Sequence, residues 1–498
     1  MVKGLWPFLV AQASANAPVV AVTSTGREAE ELTEALADHL SPSSVAFFPS
    51  WETLPHERLS PRSDTVGKRL SVLRALSHPG DRPLSVVVTT VRALLQPIVK
   101  GLGDLEPVTI KVGDEHDLTE LAERLSHLAY SRVDMVSRRG EFAVRGGIID
   151  IFPPTEDSAL RVEFFGDEVE EIRRFSVADQ RSIEAEEGAE VPHVWAPPCR
   201  EVLLSSKVRE RAAALVEQIP AAADMLTKIA DGVAVDGMES LAPVLADGME
   251  PLLARLPSTT RIVVLSPERV ETRAADLVAT TEEFLAAAWT SATSGGKAPI
   301  DLSPASFRTL EETRTAADQL SLPWWEVGGF ARDEELVEVT DNHVTIDARE
   351  PRGYAGDVEA VLTDVRDHVS HEWNVYVLTE GKGSGERLVE GFSSADIPAH
   401  FEPVIEAPAP AATVTVTTAA TYAGFVSETA KLAVLTESEV LGRSVQNSRQ
   451  GRKSLPRRRR RGQVDPLDLK PGDYVVHEQH GVGRFVELVQ RTTRKGKD

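Results

Sequence analysis

A single cysteine, Cys199, stands in a chain of 498 residues, so an intrachain disulfide framework is excluded and a reducing, cytoplasmic setting is expected. No run of 18 apolar residues occurs, so no membrane-spanning helix is expected. The opening MVKGLWPFLVAQASANAPVV is a poor secretion signal, because its apolar stretch is short and broken by polar residues. Positive charge is scarce: 54 Lys and Arg face 77 Asp and Glu, a net charge of −23. That balance argues against a chain that wraps DNA along its whole length, since phosphate neutralisation needs clustered cations; a local basic patch stays open. Against these absences, 42% of the residues are hydrophobic, enough for a sizeable core. The length suits about three or four domains.

Strand and helix patterns alternate over residues 1–107. Val19–Thr23, Val45–Phe48 and Val86–Val88 are short apolar runs, and Glu28–Leu40 has helical spacing. A helix capped by Asp64 would carry Val66, Leu70, Leu73 and Leu76 on one stripe, and VRALLQ is helix-like. This alternation predicts a parallel sheet covered by helices. Residues 108–196 read as an α+β insert. Its strands come in pairs, GEFAV-RGG-IIDIF and RVEFF-GD-EVEEIRRF, turning at Gly146-Gly147 and Gly166-Asp167. The Pro-rich VPHVWAPPCR (191–200) is its exit. Over 197–330 helices dominate around a strand at Arg261–Leu265, read as the return of the first sheet domain. Residues 345–440 form a second small α/β domain with strands NVYVLT, VTVTT and LAVLT. Residues 443–464 are a basic linker without apolar period. Residues 465–498 begin a small β-barrel pattern, with turns at Pro471-Gly472-Asp473 and Gly481-Val482-Gly483 and strands at YVVH and RFVEL. A small barrel needs roughly 50–60 residues, so this one is expected to be incomplete.

The first domain has the layout of a nucleotide-binding sheet without the loop that would hold a phosphate. A P-loop requires G-x-x-x-x-G-K-[ST], whose backbone N–H groups and Lys cradle the phosphates. The first turn, VTSTGREAE (22–30), has one glycine and no Lys-Thr pair. TSGGKAP (293–299) places Ala298 where Ser or Thr is needed, and TEGKGSGERL (379–388) has the wrong spacing. The expectation is therefore no cofactor and no catalytic centre in this chain. The twelve histidines are scattered; His477 and His480 flank a turn, but no Cys or carboxylate stands at metal-ligand spacing, so no metal is expected. Cys199, between prolines and Arg200, is expected to be a structural thiol.

The informative positions lie on the hairpins. Period two puts Val162 and Phe164 on one face and Arg161, Glu163 and Phe165 on the other. With Val162 and Phe164 turned to the core, Phe165 stands on an outward face beside charged residues. Phe142 and Val144 alternate with Ala143 and Arg145, so Arg145 also points outward. Exposed Arg with an aromatic is the composition of a protein-binding hot spot. The plainer alternative is that Phe165 packs under a helix and the arginines are solvated charges.

FFPSWETLPHERLSPRSDTVGKRLSVLRAL (47–76), SRRGEFAVRGGIIDIFPP (137–154) and RVEFFGDEVEEIRRF (161–175) resemble the module shared by the excision-repair protein UvrB and the bacterial transcription-repair coupling factors (Mfd). LTESEVLG (435–442), the basic linker and GDYVVHEQHGVGRF (472–485) resemble the coupling factors, in which a CarD-like domain follows. The resemblance covers essentially the whole chain and implies a multidomain α/β fold: a degenerate helicase-like (RecA-like) sheet domain without P-loop, its α+β insert, a second α/β domain and the start of a CarD-like barrel. It implies a module that recruits UvrA to RNA polymerase stalled at DNA damage, with the ATP- and Mg-dependent translocase lying beyond residue 498. The UvrA contacts it implies are Arg145, Arg161 and Phe165, masked in the whole protein by its carboxy-terminal domain. The polymerase β subunit would meet Tyr474, Val475, Val476, His477, Arg484 and Phe485, weakly if the barrel is incomplete. The run Arg457, Arg458, Arg459, Arg460 and Arg461 would touch DNA phosphate weakly or serve as a solvated linker. The competing readings are a UvrB-type ATP-dependent repair enzyme and a CarD-like transcription regulator.

Overall fold

The computed structural model describes residues 2–53, 59–80, 83–183, 193–293, 306–329, 344–354, 357–408, 410–441, 474–477, 481–484, 492–493 and 496–497. It divides into two units, 1–443 and 444–498. In the first unit, a five-stranded sheet runs in the order Trp324–Val327, Arg261–Leu265, Val19–Thr23, Val86–Thr90, Val45–Phe48, with every neighbouring pair parallel. Its inner strands read as unbroken apolar runs because each face has its own core. Val20, Val22, Val87, Ile262 and Val264 point to one side, where the helices Ser63–Ser77 and Pro267–Thr293 pack. Val19, Ala21, Val86, Val88 and Val263 point to the other, against Trp6–Ser14 and Gly26–Leu36. Val66, Leu70 and Leu73 are buried, as the stripe requires. Asp64 does not cap that helix: it sits inside the first turn, with Arg62 at the cap position and its guanidinium 3.0 Å from the Asp64 carboxylate.

Between Val86–Thr90 and Arg261–Leu265 the chain builds a second sheet, ordered Glu168–Phe175, Ala159–Phe165, Ile148–Ile151, Glu141–Arg145, Ser131–Arg132. Its pairs are antiparallel except the last. Leu121, Ala122 and Leu125, from the helix Leu118–His127, cover one face. Asp117 starts that helix by accepting from Thr119 N at 2.8 Å and Glu120 N at 2.9 Å. The strands Val108–Ile110 and Val194–Ala196, at either end of this region, pair antiparallel with each other, Val194 opposite Ile110 and Ala196 opposite Val108.

A third sheet repeats the connectivity of the first over its first three strands and differs in the order and direction of the last two. Its order is Ala399–Phe401, Val414–Thr418, Asn374–Thr379, Leu432–Thr436, Phe425–Ser427, parallel except for the last strand. In both sheets a central strand leads into a helix, the next strand lies at an edge, the following one fills the gap, and a later one joins the opposite side. The likeness extends to side chains. Thr23 Oγ1 donates to the Thr89 carbonyl at 3.3 Å, and Thr379 Oγ1 donates to the Thr417 carbonyl at 3.1 Å. The segment 2–14 packs against both sheets: Trp6 and Val10 enter the first core, while Val2 and Leu5 meet Leu378, Phe425 and Val434.

In the second unit Tyr474–His477 pairs antiparallel with Gly481–Arg484. Gly481-Val482-Gly483, expected as a turn, is therefore strand: glycine weakens a strand, but pairing with Tyr474–His477 outweighs that local cue. Pro471-Gly472-Asp473 and residues beyond Arg484 in RFVEL lie outside the described residues. No described helix is long and apolar enough to cross a membrane.

Candidate docking surface

Both insert hairpins turn through two residues, Arg145 facing Ile148 and Phe165 facing Glu168. Gly146 and Gly166 take φ of 60° and 67°, the left-handed conformation that the first position of such loops requires and glycine adopts without strain. Gly147 O accepts from Phe164 N at 2.8 Å, which brings the first turn alongside the end of the second hairpin. The alternation then works out in space: Phe142, Val162 and, half-buried, Val144 and Phe164 join the core under the helix. Phe165 stands on the opposite face at 80% exposure. It does not pack under a helix.

The arginines differ from one another. Arg145 is half-exposed, 51% for its side chain. Arg161 is only 19% exposed, which corrects the reading of it as an outward, exposed charge. Its position is set by Asp150, directly opposite in the register and 2% exposed. Arg161 Nε donates to Asp150 Oδ1 at 2.7 Å and Nη2 to Oδ2 at 2.9 Å, a two-pronged charge-assisted pair. That pairing pushes the guanidinium pKa further up. Behind it the Phe175 ring lies 4.8 Å from the guanidinium carbon. Arg145 Nη2 approaches Asp150 Oδ2 at 3.5 Å. Glu163, next along the face, is paired with Arg173.

Asp150 was not singled out from the sequence. Its cue was there: an acid inside the apolar run IIDI, which the turn at Gly146-Gly147 and the pairing of the hairpins set opposite Arg161.

The two loops that follow central strands hold internal carboxylates. Glu28 accepts from Lys3 Nζ at 2.5 Å and Ser24 Oγ at 2.7 Å and pairs with Arg269. Glu437 accepts from Glu380 N at 3.3 Å and from Ser384 Oγ. Cys199 is buried in the insert core, and burial pushes its thiol pKa up. Among the described residues no group of His, Cys, Asp and Glu is arranged to hold a metal. Tyr474 faces Arg484, Val475 faces Gly483, Val476 faces Val482 and His477 faces Gly481. Phe485, His480 and Arg457–Arg461 lie outside the described residues.

A family model described as the UvrB interaction domain matches residues 108–192, and one described as the CarD-like/TRCF RID domain matches residues 469–498. Proteins named transcription-repair-coupling factor from Mycobacterium bovis and Mycobacterium tuberculosis are 45% identical over 97% of this chain and 40% of their own length. The Bacillus subtilis protein of that name is 26% identical over 95% of this chain and 40% of its own length. The chain thus spans about two fifths of the curated relatives it matches. By both family models and by these relatives, the chain is similar to transcription-repair-coupling factors over about two fifths of their length.

Proposed function

We propose that this chain is the docking part of a transcription-repair coupling factor, recruiting UvrA through the outer face of the insert sheet during repair of transcribed DNA. The observation that carries the reading is Phe165, 80% exposed on the same sheet face as two arginines grouped on one buried carboxylate, inside a match to the UvrB interaction domain. An exposed aromatic sharing a face with Arg is the composition of an interface anchor. Titration of the chain with UvrA tests it: Phe165→Ala and Arg145→Ala should each weaken binding at least about tenfold, as loss of a hot spot does. Unchanged affinity in both would overturn the reading.

The all-parallel first sheet fits a degenerate helicase-like domain that binds no nucleotide, and the third sheet shares part of its connectivity. Glu28 and Glu437 support this, since each sets a negative charge near a helix start, where a phosphate would otherwise sit. The ATP-driven translocase would belong to other parts of the whole protein. There a carboxy-terminal domain would mask the insert face, so this chain should bind UvrA more tightly than a full-length relative. Tight ATP binding by this chain would favour a UvrB-type enzyme instead.

The CarD-like match supports a second contact, to the RNA polymerase β subunit, through an added strand beside Tyr474–His477 or Gly481–Arg484. The run Arg457–Arg461 would add a weak, salt-sensitive DNA contact. Deleting 443–498 should abolish polymerase binding and leave UvrA binding intact; loss of UvrA binding instead would favour a CarD-like regulator.

A further inference from the structure

We infer that Asp150 is the positioning residue of the docking face: it fixes Arg161 as a floor and leaves Arg145 as the cation that turns to a carboxylate on the partner. The inference rests on the UvrA-docking reading and divides roles within it. Asp150 is buried, and both of its oxygens are engaged by Arg161 at hydrogen-bond distance, 2.7 and 2.9 Å. Arg161 is confined on its other side by the buried Phe175 ring. Swinging Arg161 out would strand a buried charge, which is strongly unfavourable. Arg145 carries no such penalty. Its 3.5 Å approach to Asp150 Oδ2 is longer than a charge-assisted hydrogen bond, its side chain is half in solvent, and Asp150 keeps Arg161 when Arg145 leaves.

The charges lead the same way. One Asp and two Arg leave one positive charge in excess, and Arg145 is the partner more loosely held. The nearby Glu163 is already taken by Arg173, which also lies 3.5 Å from Glu171. Glu163 and Glu171 thus share one cation and keep a negative charge in excess, while Arg145 and the exposed Phe165 ring are the groups on this face that can meet a partner presenting an acidic side chain beside an apolar pocket.

Asp150→Asn separates positioning from simple charge, because it makes the face more positive. If charge alone governed binding of an acidic partner, affinity would rise. Positioning predicts a loss of about tenfold in UvrA affinity. It also predicts that Arg145→Ala costs less in the Asp150→Asn background than in the native chain, a coupling that a purely structural role would not produce. Asp150→Glu keeps the charge but shifts it by one methylene, and should lose about threefold with the melting temperature retained. Equal or tighter binding by Asp150→Asn, or effects of Asp150→Asn and Arg145→Ala that simply multiply, would overturn the inference while leaving docking intact. If Asp150→Asn does not fold, Asp150→Glu decides, and native affinity there overturns it. If Arg145→Ala and Phe165→Ala both bind like the native chain, the docking reading fails and this inference with it.

Discussion

Arg69 and Glu201 meet 2.6 Å apart in an ion pair with both side chains at 0% exposure, although 132 positions separate them. Glu201 Oε1 also accepts from Trp51 Nε1 at 3.0 Å, and the Arg69 guanidinium lies over the Phe48 ring at 4.5 Å. Arg69 comes from the helix before the insert and Glu201 from the segment just after it, so the pair ties the two crossings of the chain together. Glu201→Ala would leave a buried guanidinium unpaired, and a loss of about 3–5 kcal/mol is expected in urea denaturation. A double replacement, Arg69→Met with Glu201→Leu, should recover much of it, because no charge then remains in the core.

Glu28 gives a pH dependence. Burial alone would raise its pKa, but hydrogen bonds from Lys3, Ser24 and Arg269 outweigh it and hold the carboxyl at about 2, against an ordinary 4.5. The folded value lies below the unfolded one, so the stabilisation is complete above pH 4.5 and is lost as pH falls toward 2. Glu28→Gln should cost about 1–3 kcal/mol at neutral pH. Melting curves of the two proteins should converge between pH 4.5 and 2.

The residues of the proposed docking face should separate by stability. Arg161→Ala leaves Asp150 buried with only the looser Arg145 nearby, and should cost about 3 kcal/mol. Phe165→Ala and Arg145→Ala touch exposed groups and should stay within about 0.5 kcal/mol of the native chain. Chemical denaturation of the three checks the order. It also decides which of them can be read as binding probes alone.

Gly4 presses on the third sheet: a Cβ there would lie 2.4 Å from the Gly424 carbonyl. Gly4→Ala should cost about 1–3 kcal/mol by overpacking. Limited proteolysis should then cut between 344 and 441 faster than in the native chain, while UvrA affinity is unchanged.

The hairpin faces were legible because a strand's period is fixed: Val162 and Phe164 had to go one way and Phe165 the other. The two-residue turns followed from their glycines. The depth of Arg161 did not follow. On its own face Val136, Ala143, Phe152, Ala159 and Phe175 form a small second core. Phe175 reaches Arg161 from the edge strand, a contact that alternation on one strand cannot reveal. The repeat of the first sheet in the third was hidden for another reason. The chain travels from Phe48 to Val86 between two strands of the first sheet, but only from Phe401 to Val414 in the third. Unequal connections erase any fixed period while leaving the order of the first three strands intact.

Because Val108–Ile110 and Val194–Ala196 pair with each other, the insert leaves the sheet domain and returns to it at one place. Its two ends are neighbours before any other part of the chain is considered. A segment of that kind is portable: it could be cut out, joined to a different host at a single surface loop, and carry its proposed docking face intact. An insert spliced in this way changes what a host recruits without asking the host to refold.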